Sequence, residues 1–212
     1  MRKMHYYEIK EQLKTGDIIL FSGQYKISKL VEKLEHSDWS HVGMVVRPDP
    51  KGEIYFFEST ALTNLEDELF HDNKTGPKLV KLYDRLKTYG EDLTPYVPPL
   101  YAVRSIVLTD TSIDETILYN YINKVHGIPN PNQWEMIWEV LEGRFLHISS
   151  KKSDYTCSKL VAELYEKLGL FKPKLPLNGY MPKDFSSNSG LKLEGAYLEE
   201  EVVIQLDEEK VI

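Results

Sequence analysis

Two apolar runs of strand length, HVGMVV (His41–Val46) and EIYFFES (Glu53–Ser59), flank the segment RPDPKG, whose prolines, aspartate and glycine supply the backbone restrictions of a tight connection. A chain carrying this unit is committed to an antiparallel hairpin and to a fold that covers it, because a lone hairpin is marginal in water. A polar residue stands near the outer end of each run, His41 and Glu58. If the turn occupies Pro48–Lys51, Arg47 faces Gly52 and His41 lies directly opposite Glu58 on the same face. A slip of one residue would present Phe57 or Ser59 to the histidine instead.

Other segments mix strand and helix. GDIILF (Gly16–Phe21) reads as a short strand, LVKLYDRLKTY (Leu79–Tyr89) as a strand start with a helical end, and LYAVRSIVL (Leu100–Leu108) as one strand following the proline-rich TPYVPP. Ser112 with Glu115 forms a capping box for a helix marked by Ile113, Ile117, Tyr121 and Ile122, and Gly127 ends it. In NQWEMIWEVL, Trp134, Ile137, Trp138 and Leu141 share one helical face, a stripe expected to pack into the core. Leu160, Val161, Leu164 and Leu168 recur at helical spacing in SDYTCSKLVAELYEKLGL, with Ser153, Asp154 or Thr156 as cap and Gly169 as stop. The fold class is α+β. No repeat or long linker divides the chain, so residues 1–212 read as a single domain, with 61–150 an elaborated segment expected to line or cover a cleft.

Composition removes several classes of function. A formal net charge of −7 and the absence of a basic cluster with interleaved aromatics argue against a nucleic-acid partner. The N-terminal MRKMHYYEIK has basic residues with no apolar stretch after them, and no later run approaches the roughly 18 apolar residues of a membrane span. A cytoplasmic protein without signal peptide or transmembrane segment is expected. The single cysteine, Cys157, excludes an intramolecular disulfide and a cysteine-cluster metal site, and no cofactor is implied.

Cys157 falls in the first turn of its helix, where unpaired N–H groups and the positive end of the dipole favour a thiolate. The dipole contributes only about 0.3–1 kcal/mol, too little to ionise a thiol of pKa about 8.5 at neutral pH, so an imidazolium partner is required. Of six histidines, His5 and His71 lie in polar or terminal surroundings, His36 in a loop, His126 at a helix end, and His147 begins no recognisable element. His41 alone starts a strand, and Glu58 is the group positioned to hold its ring.

The order TGDIILFSG, SHVGMVV, FFES and, much later, YTCSKLVAELY resembles the circularly permuted branch of the NlpC-type papain-like cysteine peptidase superfamily, specifically its YiiX-like members. PKDF (Pro182–Phe185) is similar to the stretch that follows the cysteine helix in that branch. Residues 15–60 and 153–170 carry the resemblance, while 61–150 matches only loosely. It implies a small antiparallel sheet or half-barrel packed on the cysteine helix, with Cys157 as nucleophile, His41 as base and Glu58 in the third position, where His, Asn or Gln is more usual. The expected activity is cleavage of an amide, peptide-like bond through a thioester, with Trp39 and Tyr155 walling the cleft. Since permuted relatives include acyltransferases of the lecithin:retinol type, the alternative is transfer or ester cleavage of lipid-like acyl groups. The expected partner is accordingly a small-molecule, peptide or lipid-like substrate. A non-catalytic binding module on the same fold and a metal hydrolase using His36, His41 and Glu58 are the readings from other classes. The second has no helix-borne ligand pair.

Overall fold

The strand-like runs assemble into a sheet larger than the small one the sequence suggests. The computed structural model describes residues 2–23, 29, 33, 37–93, 99–150 and 154–206; His36, Ser153 and most of the proline-rich stretch lie outside these. Strands β1 (Arg2–His5), β2 (Ile18–Ser22), β3 (His41–Val46), β4 (Tyr55–Thr60), β5 (Gly76–Lys81), β6 (Leu100–Arg104) and β9 (Val202–Gln205) form one sheet in the order β1-β9-β6-β2-β3-β4-β5. All its pairings are antiparallel except that of β1 with β9, which joins the two ends of the chain. LYAVRSIVL is two strands. The chain breaks at Ser105, and β7 (Ile106–Leu108) leaves to pair with β8 (Ala196–Leu198).

Strands β2 and β3 are buried along their whole length, which explains why they read as continuous apolar runs instead of alternating ones. On one face, Leu20, Val42, Met44 and Phe57 pack against Leu160, Val161 and Leu164 of helix α5 (Cys157–Lys167). On the other, Ile19, Phe21, Val45 and Phe56 meet Leu82 and Leu86 of α2 (Leu82–Thr88), with Tyr6 and Ile9 of the short α1 (Tyr6–Ile9). The sheet is thus the middle layer of an α+β arrangement. Side-chain parity decides which helix each strand residue can reach.

Two helices correct the sequence reading. Helix α3 (Glu115–Val125) is capped by Asp114, whose carboxylate accepts the Thr116 and Ile117 N–H groups; Ser112 lies before the helix and plays no part in the cap. A carboxylate adjacent to the first turn also opposes the dipole, which a serine two residues earlier cannot do. Helix α4 (Gln133–Phe145) does not turn its tryptophans into the core: Trp134 is 74% exposed and Trp138 64%. No helix among the described residues is long and apolar enough to cross a membrane.

Candidate active site

His41 is the first residue of β3, so its ring sits at the end of the strand, where a group from the other layer can reach it. The connection to β4 turns one residue later than the sequence suggests. Gly52 N–H donates to the Asp49 carbonyl and Lys51 N–H to the Asp49 carboxylate, a β-turn with aspartate first and glycine last. Moving the turn by one residue moves the register by two. Met44 therefore pairs with Phe57 and Val46 with Tyr55, and Glu58 lies diagonal to His41, not directly opposite it. An even shift keeps the face: Glu58 Oε2 lies 2.7 Å from His41 Nε2. Ser59 points the other way and donates to the Tyr155 carbonyl.

The glycine of HVG has a definite task. A Cβ on Gly43 would lie 2.4 Å from the Phe56 ring and 2.7 Å from the Phe57 carbonyl oxygen. Only a residue with no side chain lets Phe56 fold across β3, where it joins Phe21 and Tyr89 around the imidazole. The Phe21 ring meets His41 edge-on at 5.5 Å, and Tyr89 stacks on it at 5.8 Å.

Cys157 opens α5. Thr156 is the cap, its hydroxyl accepting the Lys159 N–H. The half-buried thiol lies beside His41, near enough to act on the charge of its ring. Because Glu58 occupies Nε2, Nδ1 is the ring nitrogen left for the sulfur. Burial disfavours a charged imidazole, yet Cys157, followed by Glu58, outweighs it and pushes His41 up to about 9.

A fourth residue completes the cluster. Arg85, on α2 and fully buried, donates from Nε to Glu58 Oε1 at 2.7 Å, with Nη2 at the same distance, while Nη1 donates to Asn64. Burial favours the neutral form of Glu58, but Arg85 first and His41 second hold its carboxyl below the usual range. Sequence reasoning missed Arg85, although a signal was present. Leu82, Arg85, Leu86 and Tyr89 share one helical stripe, and an arginine within an apolar stripe needs a buried partner.

Of the two aromatic residues expected to wall the cleft, neither is among the residues that line it. Trp39 is buried, donates from Nε1 to Glu201, and borders a polar cavity of about 740 Å³ that meets the cleft at Arg144 and Lys183. Tyr155 packs edge-on against Tyr121 and donates to Glu163. Both carry a polar atom that a nearby carboxylate satisfies inside the fold, which draws them inward. The walls come instead from the elaborated segment. Cys157 opens onto a cleft of about 280 Å³ lined by Met136, Ile137, Val140, Leu141 and Phe145 of α4 together with Met181 and Pro182, and by the polar Ser40, Arg144 and Lys183.

PKDF holds that wall in place. Asp184 pairs with Arg144 of α4 through two oxygens, at 2.7 and 3.1 Å, and also accepts the Met181 N–H. Beside this clamp, Gly143 and Gly179 approach so closely that a Cβ on either would strike the other's backbone. Asn178 donates to the Glu139 carbonyl. Among the described residues no three His, Cys, Asp or Glu side chains gather as a metal site would require, and the His36 of the metal reading lies outside them.

No protein-family model matches the chain. It is 31% identical over 132 residues to the uncharacterized protein R372 of Acanthamoeba polyphaga mimivirus. That match covers 57% of this chain, and the chain spans about half (49%) of the relative's length. Among solved structures it is similar to the metalloprotein yiiX of Escherichia coli O157:H7, with 19% identity, a TM-score of 0.47, and 91% and 89% of the two chains covered.

Proposed function

We propose that the protein is a cysteine hydrolase that cleaves an amide or ester through a thioester on Cys157, and that the acyl part of its substrate is apolar. The observation that carries this reading is the meeting of helix α5 with strands β3 and β4 at one point. A helix-start thiol meets a strand-end imidazole whose other nitrogen is held by a buried carboxylate.

In the first half-reaction the Cys157 thiolate attacks the substrate carbonyl carbon, whose oxygen takes the negative charge. The Cys157 N–H, unpaired within the first turn of the helix, would be one donor to that oxygen. Collapse expels the amine or alcohol, which takes the Nδ1 proton of His41 and leaves a thioester. His41, now neutral, accepts a proton from water as the hydroxide oxygen attacks the thioester carbon. The acid departs, and the thiolate and imidazolium are restored. Glu58 keeps the ring's orientation and opposes its positive charge throughout.

The lining of the cleft favours an acyl chain over a peptide. Five of its side chains come from one helix and are apolar, as are Met181 and Pro182 opposite, while Arg144, Lys183 and the hydroxyls of Ser40, Thr156 and Ser158 supply its polar part, an arrangement that suits an apolar chain ending in a polar carbonyl group. The test is a competition series. Fatty acyl amides and esters should protect Cys157 from iodoacetamide and be turned over, Cys157→Ala should abolish turnover, and His41→Ala should displace the alkylation profile to higher pH. Turnover persisting in Cys157→Ala would remove the thiol mechanism. Protection by short hydrophilic peptides alone would restore the peptide reading.

A further inference from the structure

Helix α4 has apolar residues on more of its circumference than a cleft wall needs. At about 100° per residue, Met136, Val140, Ile137 and Leu141 run in order around the cleft side. Phe145, Trp134 and Trp138 continue the same arc outward, and Trp134, Trp138 and Phe145 are 74%, 64% and 69% exposed. Leu146 and Ile148, in the segment after the helix, extend the patch and are also exposed. Contiguous exposed aromatics of this kind mark a contact surface, since single scattered apolar residues would need no explanation.

Two features select the occupant. The first is continuity: Leu141 and Phe145 belong both to the exposed stripe and to the cleft lining, so the apolar surface runs without a break from the outside of α4 toward Cys157. A protein partner docked there would block the approach to the cleft, whereas a lipid surface would supply apolar molecules to it. The second is charge. Glu142, Glu135 and Glu139 follow Trp138 around the helix and line one cavity with both tryptophans, the helix's one cation, Arg144, is paired with Asp184, and the chain as a whole is at −7. Along the described helix that pattern supplies no row of cations of the kind by which proteins bind anionic lipid. We infer that the outer face of α4 seats the protein on a neutral lipid surface, with Trp134 and Trp138 at the headgroup level, and that substrate enters the cleft from that surface. The occupant rests on reading the cleft as an acyl site, while the membrane contact is measurable without it.

The experiment uses the full chain and phosphatidylcholine vesicles, with Trp39, buried and bonded to Glu201, as the internal background. Adding vesicles should pellet the protein, shift its tryptophan emission to the blue, and protect Trp134 and Trp138 from iodide quenching. Replacing both, Trp134→Ala with Trp138→Ala, should weaken vesicle binding by roughly tenfold or more. The rate of Cys157 alkylation in solution should stay unchanged, since neither tryptophan lines the cleft. Cys157→Ala should bind vesicles as well as the parent does, which separates this inference from the proposed chemistry. If vesicles leave emission and pelleting unchanged, the inference is wrong. Binding only after anionic lipid is added would overturn the charge argument. A concentration-dependent dimer that buries both tryptophans would assign the face to a second copy of the chain.

Discussion

Replacing Arg85 by methionine tests the buried part of the site most directly. Arg85 and Glu58 are both fully buried, and the guanidinium places two nitrogens at 2.7 Å from Oε1. Removing one partner of such a pair leaves the other charge without compensation and costs about 3–5 kcal/mol. Measured against the roughly 5–15 kcal/mol that stabilises a domain, this is a large fraction, so Arg85→Met should lower the urea midpoint markedly with little change in slope. Glu58→Gln strands Arg85 in the same way and should destabilise by a similar amount. The double variant buries neither charge, and His41 keeps an amide partner. Its loss should therefore fall short of the sum of the single losses by about 2 kcal/mol or more. The chemistry supplies a second readout. Without Arg85, Glu58 becomes easier to protonate, so the imidazolium loses its counter-charge, and the pH profile of Cys157 alkylation should move upward in the folded Arg85→Met protein. Arg85→Lys retains a cation and should recover part of that displacement. Losses additive within about 0.5 kcal/mol, or an unmoved alkylation profile, would refute the coupling.

Gly43→Ala should destabilise by about 1–3 kcal/mol, because the new methyl meets the Phe56 ring and the Phe57 carbonyl; urea melts and a slower Cys157 alkylation rate would report it. Raising the folded-state pKa of His41 from 6.5 to about 9 contributes stability that is complete below about pH 6.5 and lost as pH rises through about 9. Cys157→Ala removes the largest of the raising interactions, so its alkaline loss should begin at lower pH in thermal melts. Val140→Trp should fill the cleft and shorten the longest acyl chain turned over, while leaving alkylation by the small iodoacetamide nearly unaffected. Asp184→Ala removes the carboxylate that pairs with Arg144 and loosens α4 from PKDF, so KM for acyl substrates should rise more than kcat falls.

What could be read from the chain follows the range of each physical cause. The hairpin, the cysteine helix, and the strand-to-helix switch at Lys81 depend on neighbours a few residues away, and the sequence carries them legibly, while the choice of Thr156 among three possible caps came only with the fold. The register of β3 with β4 turned on one choice between adjacent turn positions. Proline made Pro48–Lys51 look suitable, but Asp49 with Gly52 satisfies more backbone groups. His41 and Glu58 still share a face only because the displacement is even. The pairing of β1 with β9 joins opposite ends of the chain, and no local pattern announces it. The stripe on α4 carried the spacing of a core-facing helix. What it lacked was any statement of what covers it, and an exposed apolar stripe and a buried one have the same periodicity.

The placement of Arg85 raises a question of charge that the site answers. An arginine on the far side of Glu58 competes with His41 for the same carboxylate, and would be expected to weaken its support of the imidazolium. The competition is divided by geometry, since Arg85 takes Oε1 and His41 takes Oε2. Without the guanidinium, a carboxyl enclosed this deeply is driven toward its neutral form, and a protonated Glu58 gives His41 no counter-charge at all. Arg85 therefore strengthens the imidazolium indirectly, by keeping Glu58 an anion. Lys78, opposite Glu58 on β5, adds a second cation nearby, although burial first of all depresses its own tendency to hold a proton. A buried carboxylate supports a neighbouring imidazolium only if something holds it ionised, and Arg85 does that for Glu58. A neutral amide in that position needs no such partner, because it orients the ring without carrying a charge that must be kept.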